Sequence, residues 1–452
     1  MSPRRWVEAL RRTPDAPVLQ ADAARFKRMQ WSVFVAITFG YGFYYVCRLS
    51  LNVVKKPLID AGVFNAAELG QIGSALFFAY AGARLLNGFL VDHANLKRFM
   101  ALGLLGSALI NLGLGALPGL AWFVALWALN GWFQAMGAPA SVVSMAHWFP
   151  TKGRGTVYGI WSTSHNIGEA LTYVATAAVV SHFGAAWGFR AAGLIGLLAA
   201  GLIWLGLHER PEVHGLPSPV APAAAAAGEP PPTVKALQWQ VLRNPWIWLL
   251  AASSACFYVT RYAVNSWGVF FLQEHKGYTA LQAASIISAN AVAGIVGTFV
   301  SGLVSDRMFG GSRHAPALIF GLLYIAAMAW FVLAPPALWH DTASMVLFGV
   351  AMGALLAYLG GMMAVDLCPK EAAGTATGIV GVASYLGAAL QDLASGHLIQ
   401  AGKTVVQGRV LYDFSLAGTL WIGAAVLSCV LASLVWLKPK PEPKPAPYNA
   451  VR

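Results

Sequence analysis

Residues 44–54 read "YYVCRLSLNVV" and residues 257–267 read "FYVTRYAVNSW". Each stretch sets one arginine, Arg48 or Arg261, in the middle of an apolar run. Tyr45, Val46, Arg48 and Asn52 match Tyr258, Val259, Arg261 and Asn265 at a constant offset of 213. The rest of the chain explains the setting. Of its 452 residues, 58% are hydrophobic and only 11% charged, where a soluble chain carries about 25% charged residues. Segments of the length that crosses a bilayer, about 20 residues, fall near 31–54, 68–91, 98–117, 120–147, 155–180, 186–207, 246–272, 280–304, 315–335, 343–366, 374–398 and 412–437. The expected class is an all-α integral membrane protein with twelve spans.

The net charge of +12 is explained by its placement. With the N-terminus inside, 21 of the 30 Lys and Arg fall on the inner side, four lie within spans, and five (Lys55, Lys56, Lys276, Lys403, Arg409) go to outer loops. That asymmetry is the positive-inside signal, so the bilayer is the expected macromolecular partner and nucleic acid is not. The basic start "MSPRRWVEALRR" lacks the apolar core and cleavage site of a signal peptide. The four cysteines, Cys47, Cys256, Cys368 and Cys429, have no metal-ligand spacing and read as buried thiols.

Six spans lie on each side of a Pro/Ala-rich stretch, "HGLPSPVAPAAAAAGEPPPT" (214–233), which reads as a flexible linker. The expected organisation is an inner segment 1–30, a first half 31–207, a linker 208–244, a second half 245–437 and an inner tail 438–452. The repeat extends past the arginines. "GFLVD", ending at Asp92, answers "GLVSD", ending at Asp306. "FPTKGRGTVYGIWSTSHNIG" (149–168) aligns without gaps on "CPKEAAGTATGIVGVASYLG" (368–387), with Gly168 on Gly387. Two parallel six-span repeats resemble the major facilitator layout, which holds its substrate at mid-membrane between the halves.

An arginine near the bilayer centre costs about 2.5–3.5 kcal/mol on insertion scales, so it should face a polar cavity and have a partner. Arg48 and Arg261 occupy matching positions in the two halves, and a ligand between the halves would meet both. A guanidinium fork suits an oxyanion, to which it donates two parallel hydrogen bonds. Asn52 and Asn265 lie one turn further along the same faces and, with Tyr45 and Tyr258, complete the candidate substrate contacts. Arg84, in "AYAGARLLNGF", either joins the cavity or snorkels to the inner face. His165, in "STSHNIGEAL", is either a neutral interhelical contact or a proton-sensitive ligand. Glu169, one turn on, and Asp392 would neutralise a cation, take up a proton, or recognise a positive group on the substrate. Asp92 with Lys97 and Arg98, and Asp306 with Arg307 and Arg313, fall at inner loops and read as gating or structural charges. No nucleophile–base pair, metal cluster or nucleotide loop stands out, so neither an enzyme nor a cofactor is expected.

These motifs resemble, over nearly the whole chain, the organophosphate:phosphate antiporter family, whose members include sugar-phosphate and glycerol-3-phosphate exchangers and a hexose-phosphate sensor. The specific pieces are "YYVCRLSLN", "GFLVDHANLKRF", "GRGTVYGIWSTSHNIG", "NPWIWLL", "YVTRYAVNSWGVFFLQE", "SGLVSDRMFGGSR" and "CPKEAAGTATGIVGVASYLG". The resemblance implies phosphate-binding roles for Arg48 and Arg261 and carries the family's span-two lysine onto Arg84 and its histidine onto His165. It implies exchange of an organophosphate, such as a hexose phosphate, for inorganic phosphate across a bacterial inner membrane, with both termini cytoplasmic. Leu49, Ser266 and Ala291 stand where many relatives carry a lysine and two acids, and Glu169 where they carry glycine. Two other readings fit the same motifs: a sugar-phosphate sensor working with a membrane histidine kinase, and a proton-coupled porter using Glu169 or Asp392.

Overall fold

The computed structural model describes residues 11–16, 22–116, 119–150, 153–219, 234–310, 312–368 and 372–437. The first half is built from α1 (Ala23–Asp60), α2 (Ala66–His93), α3 (Leu96–Leu114), α4 (Leu120–Gln134), α5 (Gly137–Trp148), α6 (Arg154–Phe183) and α7 (Ala185–Gly206). A short α8 (Val234–Leu242) leads into the second half: α9 (Pro245–Glu274), α10 (Ala280–Met308), α11 (His314–Leu333), α12 (Leu338–Asp366), α13 (Ala373–Ala401) and α14 (Ser415–Val435). Ten helices among the described residues are long and apolar enough to cross a membrane. The remaining two expected spans differ for identifiable reasons. Pro139 has no N–H for the carbonyl of Ala135, and the segment 120–147 breaks there into α4 and α5. Helix α6 has the length, but its run "STSHNIGE" makes it too polar for the same measure.

Local chemistry repeats with the fold. Asn65 and Glu68 form a capping box at the start of α2, and Thr279 and Gln282 form one at the matching start of α10; each box satisfies two otherwise orphaned N–H groups. A Cβ on Gly168 would stand 2.2 Å from the Gly42 carbonyl oxygen, and one on Gly387 2.4 Å from that of Ala255. The coincident glycines therefore let α6 cross α1, and α13 cross α9, backbone to backbone.

The halves meet where α2 packs on α13, α6 on α10, and α1 on α9. Helices α2 and α13 touch through Gly70 and Gly396, where a Cβ on Gly70 would lie 3.0 Å from the Gly396 Cα. Their contacts continue to Arg84 and Gly381. Beyond that, towards the face carrying the N-terminal end of α1 and the C-terminal end of α14, a Cβ on Gly88, Gly374 or Gly378 would meet no atom within 4 Å. The halves are sealed on each other at the opposite face, through Gly70 and Gly396 and the ion pairs of Lys55 and Lys56, and among the described residues these three glycines make no such contact at the terminus face.

Two expectations need correction, and one element was not foreseen. Lys55, Lys56 and Lys276 do not lie in solvated outer loops. Helix α1 runs on to Asp60, so Lys55 is fully buried and Lys56 pairs with Asp60 and Glu274. The Lys276 ammonium is buried against Asp341 and the Phe331 carbonyl. The start of the linker is not loose: Glu209 accepts from the Thr13 N–H and the Asn95 amide, and Arg210 donates to the Thr13 carbonyl and pairs with Asp15. These charges fasten residues 11–16 to the first half; the Pro/Ala-rich part, 220–233, lies outside the described residues, as do residues 1–10 and the tail. Finally, the chain before α14 is a hairpin, β1 (Lys403–Val406) antiparallel to β2 (Arg409–Tyr412), turned by Gln407 and Gly408 at φ 50° and 79°.

Candidate functional site

Arg48 and Arg261 project from α1 and α9, the first helix of each half, and are 4% and 3% exposed. Arg48 Nη2 donates to the Tyr262 hydroxyl at 3.0 Å, a contact across the interface between the halves. Among the described residues no carboxylate oxygen lies within 4 Å of Arg48, Arg84 or Arg261, and the Nε atoms of Arg48 and Arg261 are buried without a hydrogen-bond partner. Among these residues, then, no acid pairs directly with any of the three arginines.

Aromatic rings take the place of acids. The Arg48 guanidinium carbon lies 4.6 Å from the Tyr80 ring centre, 5.4 Å from Tyr385 and 5.6 Å from Tyr45. Arg261 lies 5.4 Å from Tyr258 and 5.5 Å from Tyr262, and Arg84 5.7 Å from Tyr385. Each such contact is worth about 0.5–2 kcal/mol; together they hold the guanidinium planes without neutralising them. The rings also join the halves, with Tyr80 against Tyr385 at 4.3 Å and Phe77 against Tyr262 at 4.5 Å. Arg84 belongs to this cluster. Its guanidinium lies along α13 because residue 381 is glycine: a Cβ there would stand 2.7 Å from the Arg84 Cζ.

The other predicted residues divide. His165 joins the cluster, its ring 5.6 Å from Tyr45, with Arg261 and Arg48 the charges acting on it. Asn265 is buried, its side-chain oxygen facing Asn290 at 3.5 Å and its carbonyl accepting from the Tyr173 hydroxyl at 2.7 Å; Asn52 is buried beside Tyr173. Glu169 is fully buried, and both its oxygens lack a well-formed hydrogen bond; Asn265 is the polar side chain beside them, and Arg261 and Arg48 act on its charge. Leu49, Ser266 and Ala291 are buried as well.

Asp392 lies elsewhere. Its Oδ1 accepts from the Trp267 indole at 2.6 Å and faces the Lys55 ammonium at 3.3 Å, which itself stands 3.6 Å over the Trp267 ring. This pair links α1 to α13 at the sealed end. Among the charges read as gates, Asp306, Arg313 and Lys97 contact residues of their own half at the terminus face. Arg313 pairs with Asp306 at 3.0 Å and faces Asp366 at 3.9 Å, and Lys97 lies 5.3 Å from the Trp204 ring. The Arg98 N–H is capped by Asn95, while the side chains of Asp92 and Arg307 are exposed. Sequence reasoning missed Tyr80, Tyr262 and Tyr385. One signal was available: in the gapless repeat alignment Tyr385 falls on Asn166, the residue after His165.

Comparisons with known proteins agree with this architecture. The Major Facilitator Superfamily model matches residues 30–391. A probable hexose phosphate transport protein of Chlamydia pneumoniae is 33% identical over 83% of this chain and 86% of its own length. The membrane sensor protein UhpC of Salmonella typhimurium is 32% identical over 81% and 85%, and a glycerol-3-phosphate transporter of Bacillus subtilis 31% over 91% and 94%. Among solved structures, a bacterial homolog of the human lysosomal transporter Spinster superposes with a TM-score of 0.73 at 18% identity, covering 91% of this chain and 97% of that one. Its arginine-bearing repeat, its two six-helix halves and these full-length relatives together establish that the chain belongs to the Major Facilitator Superfamily and, within it, to the organophosphate:phosphate antiporter family.

Proposed function

We propose that this chain carries an organophosphate across a bacterial inner membrane in exchange for inorganic phosphate, with its terminus face in the cytoplasm. The observation that carries the reading is the cluster of three arginines at the interface of the halves with no acid within 4 Å among the described residues. The one buried acid of the cluster, Glu169, offsets only part of three buried positive charges, and an oxyanion reached by both halves relieves the rest. The relatives support the chemistry: those matched over most of their length include hexose phosphate and glycerol-3-phosphate transporters.

The mechanism follows from the charges. Phosphate accepts hydrogen bonds from Arg48 and Arg261, with Arg84 and His165 completing the site. Two like unit charges roughly 4–15 Å apart repel by about 1–4 kcal/mol at an effective dielectric near 20. Without an anion that repulsion opposes drawing the halves together; with one it becomes attraction. Reorientation is then favoured only when the site is filled, which gives exchange in place of leak. Domain motion divides at the linker, with residues 31–207 and 245–437 as the moving halves.

The test is uptake of labelled inorganic phosphate into proteoliposomes, loaded with unlabelled phosphate or empty. Uptake confined to loaded vesicles is the expected result. A second reading is kept because sensor proteins match as well as transporters do: binding of a sugar phosphate with no exchange would make this chain a receptor that works with a partner such as a histidine kinase.

A further inference from the structure

Glu169 is the one member of the cluster whose charge opposes an incoming phosphate. It lies on α6, one turn past His165, 0% exposed, with neither oxygen in a well-formed hydrogen bond and the charges of Arg261 and Arg48 acting on it. Tyr45 from α1, Asn265 from α9 and Tyr173 from its own helix are the polar groups around it. A buried carboxylate that accepts no hydrogen bond is unfavourable by several kcal/mol. The fold does not demand an acid there: the repeat-related position on α13 is Ala388, equally buried. Phosphate does not demand one either, since a nearby negative charge weakens anion binding.

We propose that Glu169 accepts hydrogen bonds from the non-phosphate part of the substrate, its hydroxyl or ammonium donors, while Arg48 and Arg261 hold the phosphate. The proposal rests on the phosphate reading above. Glu169 then works in two directions. It weakens inorganic phosphate, which offers it no well-placed donor and adds negative charge, and it strengthens a phosphorylated polyol or amine. Preference between the two exchanged ligands is set by one side chain.

The experiment is equilibrium competition against labelled inorganic phosphate on the purified full-length protein. The competitors are unlabelled phosphate, a hexose phosphate, the corresponding amino-sugar phosphate and a phosphorylated carboxylate. Glu169→Gln is expected to tighten inorganic phosphate and the phosphorylated carboxylate several-fold and to weaken the hexose phosphate about 10-fold or more, the size of a lost hydrogen bond to a charged group. Glu169→Asp, which keeps the charge but withdraws it, is expected to weaken the hexose phosphate without tightening inorganic phosphate. A larger loss for the amino sugar assigns an ammonium donor, and an equal loss assigns hydroxyls; both uphold the proposal. Parallel tightening of every ligand in Glu169→Gln, or wild-type hexose phosphate binding in Glu169→Asp, overturns it. Wild-type protein that binds no phosphate compound overturns the phosphate reading itself, and this proposal with it.

Discussion

Arg48 and Lys55 lie on the same face of the same helix, seven residues or about 10 Å apart. Both are buried at the contact between the halves. Lys55 has a carboxylate from α13 and an indole from α9 around it, whereas Arg48 has aromatic rings and the Tyr262 hydroxyl. The chain thus has the means to neutralise a cation across the interface, and among the described residues it does so at the sealed end, through Lys55–Asp392 and Lys56–Glu274. A buried charge with its own counter-ion holds a structure shut. A buried charge surrounded by rings that orient it and leave it charged is set up for something that arrives from outside.

The comparison breaks first at Asp392. Asp392→Asn strands the Lys55 ammonium, and removing one member of a buried pair costs about 3–5 kcal/mol. The melting temperature of the detergent-solubilised protein should fall accordingly, and the paired change Lys55→Met with Asp392→Leu should restore most of it. A neutral Asp392→Asn would mean that the sealed end is not held by charge. Arg261→Lys tests the other member. Loss of the planar fork should weaken labelled phosphate binding by roughly 100-fold or more, yet the melting temperature of the unliganded protein should not drop, because no acid is hydrogen-bonded to the fork and lysine keeps the positive charge that acts on Glu169. A drop as large as that of Asp392→Asn would show that the arginines are paired after all. The smallest effect belongs to Gly381→Ala. Its methyl would stand 2.7 Å from the Arg84 Cζ, so the guanidinium must turn away, and phosphate binding should weaken a few-fold with little change in stability.

Much of this was legible in the linear chain. Apolar length located the spans, though not the end of α1, and the offset between Arg48 and Arg261 marked the repeat and the two helices that bury an arginine at the contact between the halves. Pro139 announced the break in the fourth span, though the apolar run masked it. Other features depend on distances between remote residues. Lys55 and Asp392 are 337 residues apart, and nothing in "NVVKKPL" separates a buried lysine from a solvated one. Tyr80, Tyr262 and Tyr385 sit in spans rich in aromatic residues, where a ring that orients an arginine and a ring that packs on lipid have the same local sequence. The fastening of residues 11–16 by Glu209 and Arg210 was hidden because those charges border a stretch without hydrophobic pattern.

The meeting of Gly70 with Gly396 has a consequence for how such a protein diverges. At that point the two halves rest main chain on main chain, with no side chain between them. A single added methyl group on either residue would wedge the far end ajar and alter the fraction of time the molecule faces each compartment, while leaving every ligand contact untouched. Descendants of one ancestor can therefore be biased towards one-sided readiness or balanced turnover by changes far from the anion, and a receiver of signals and a carrier of cargo need differ by little more than where they come to rest.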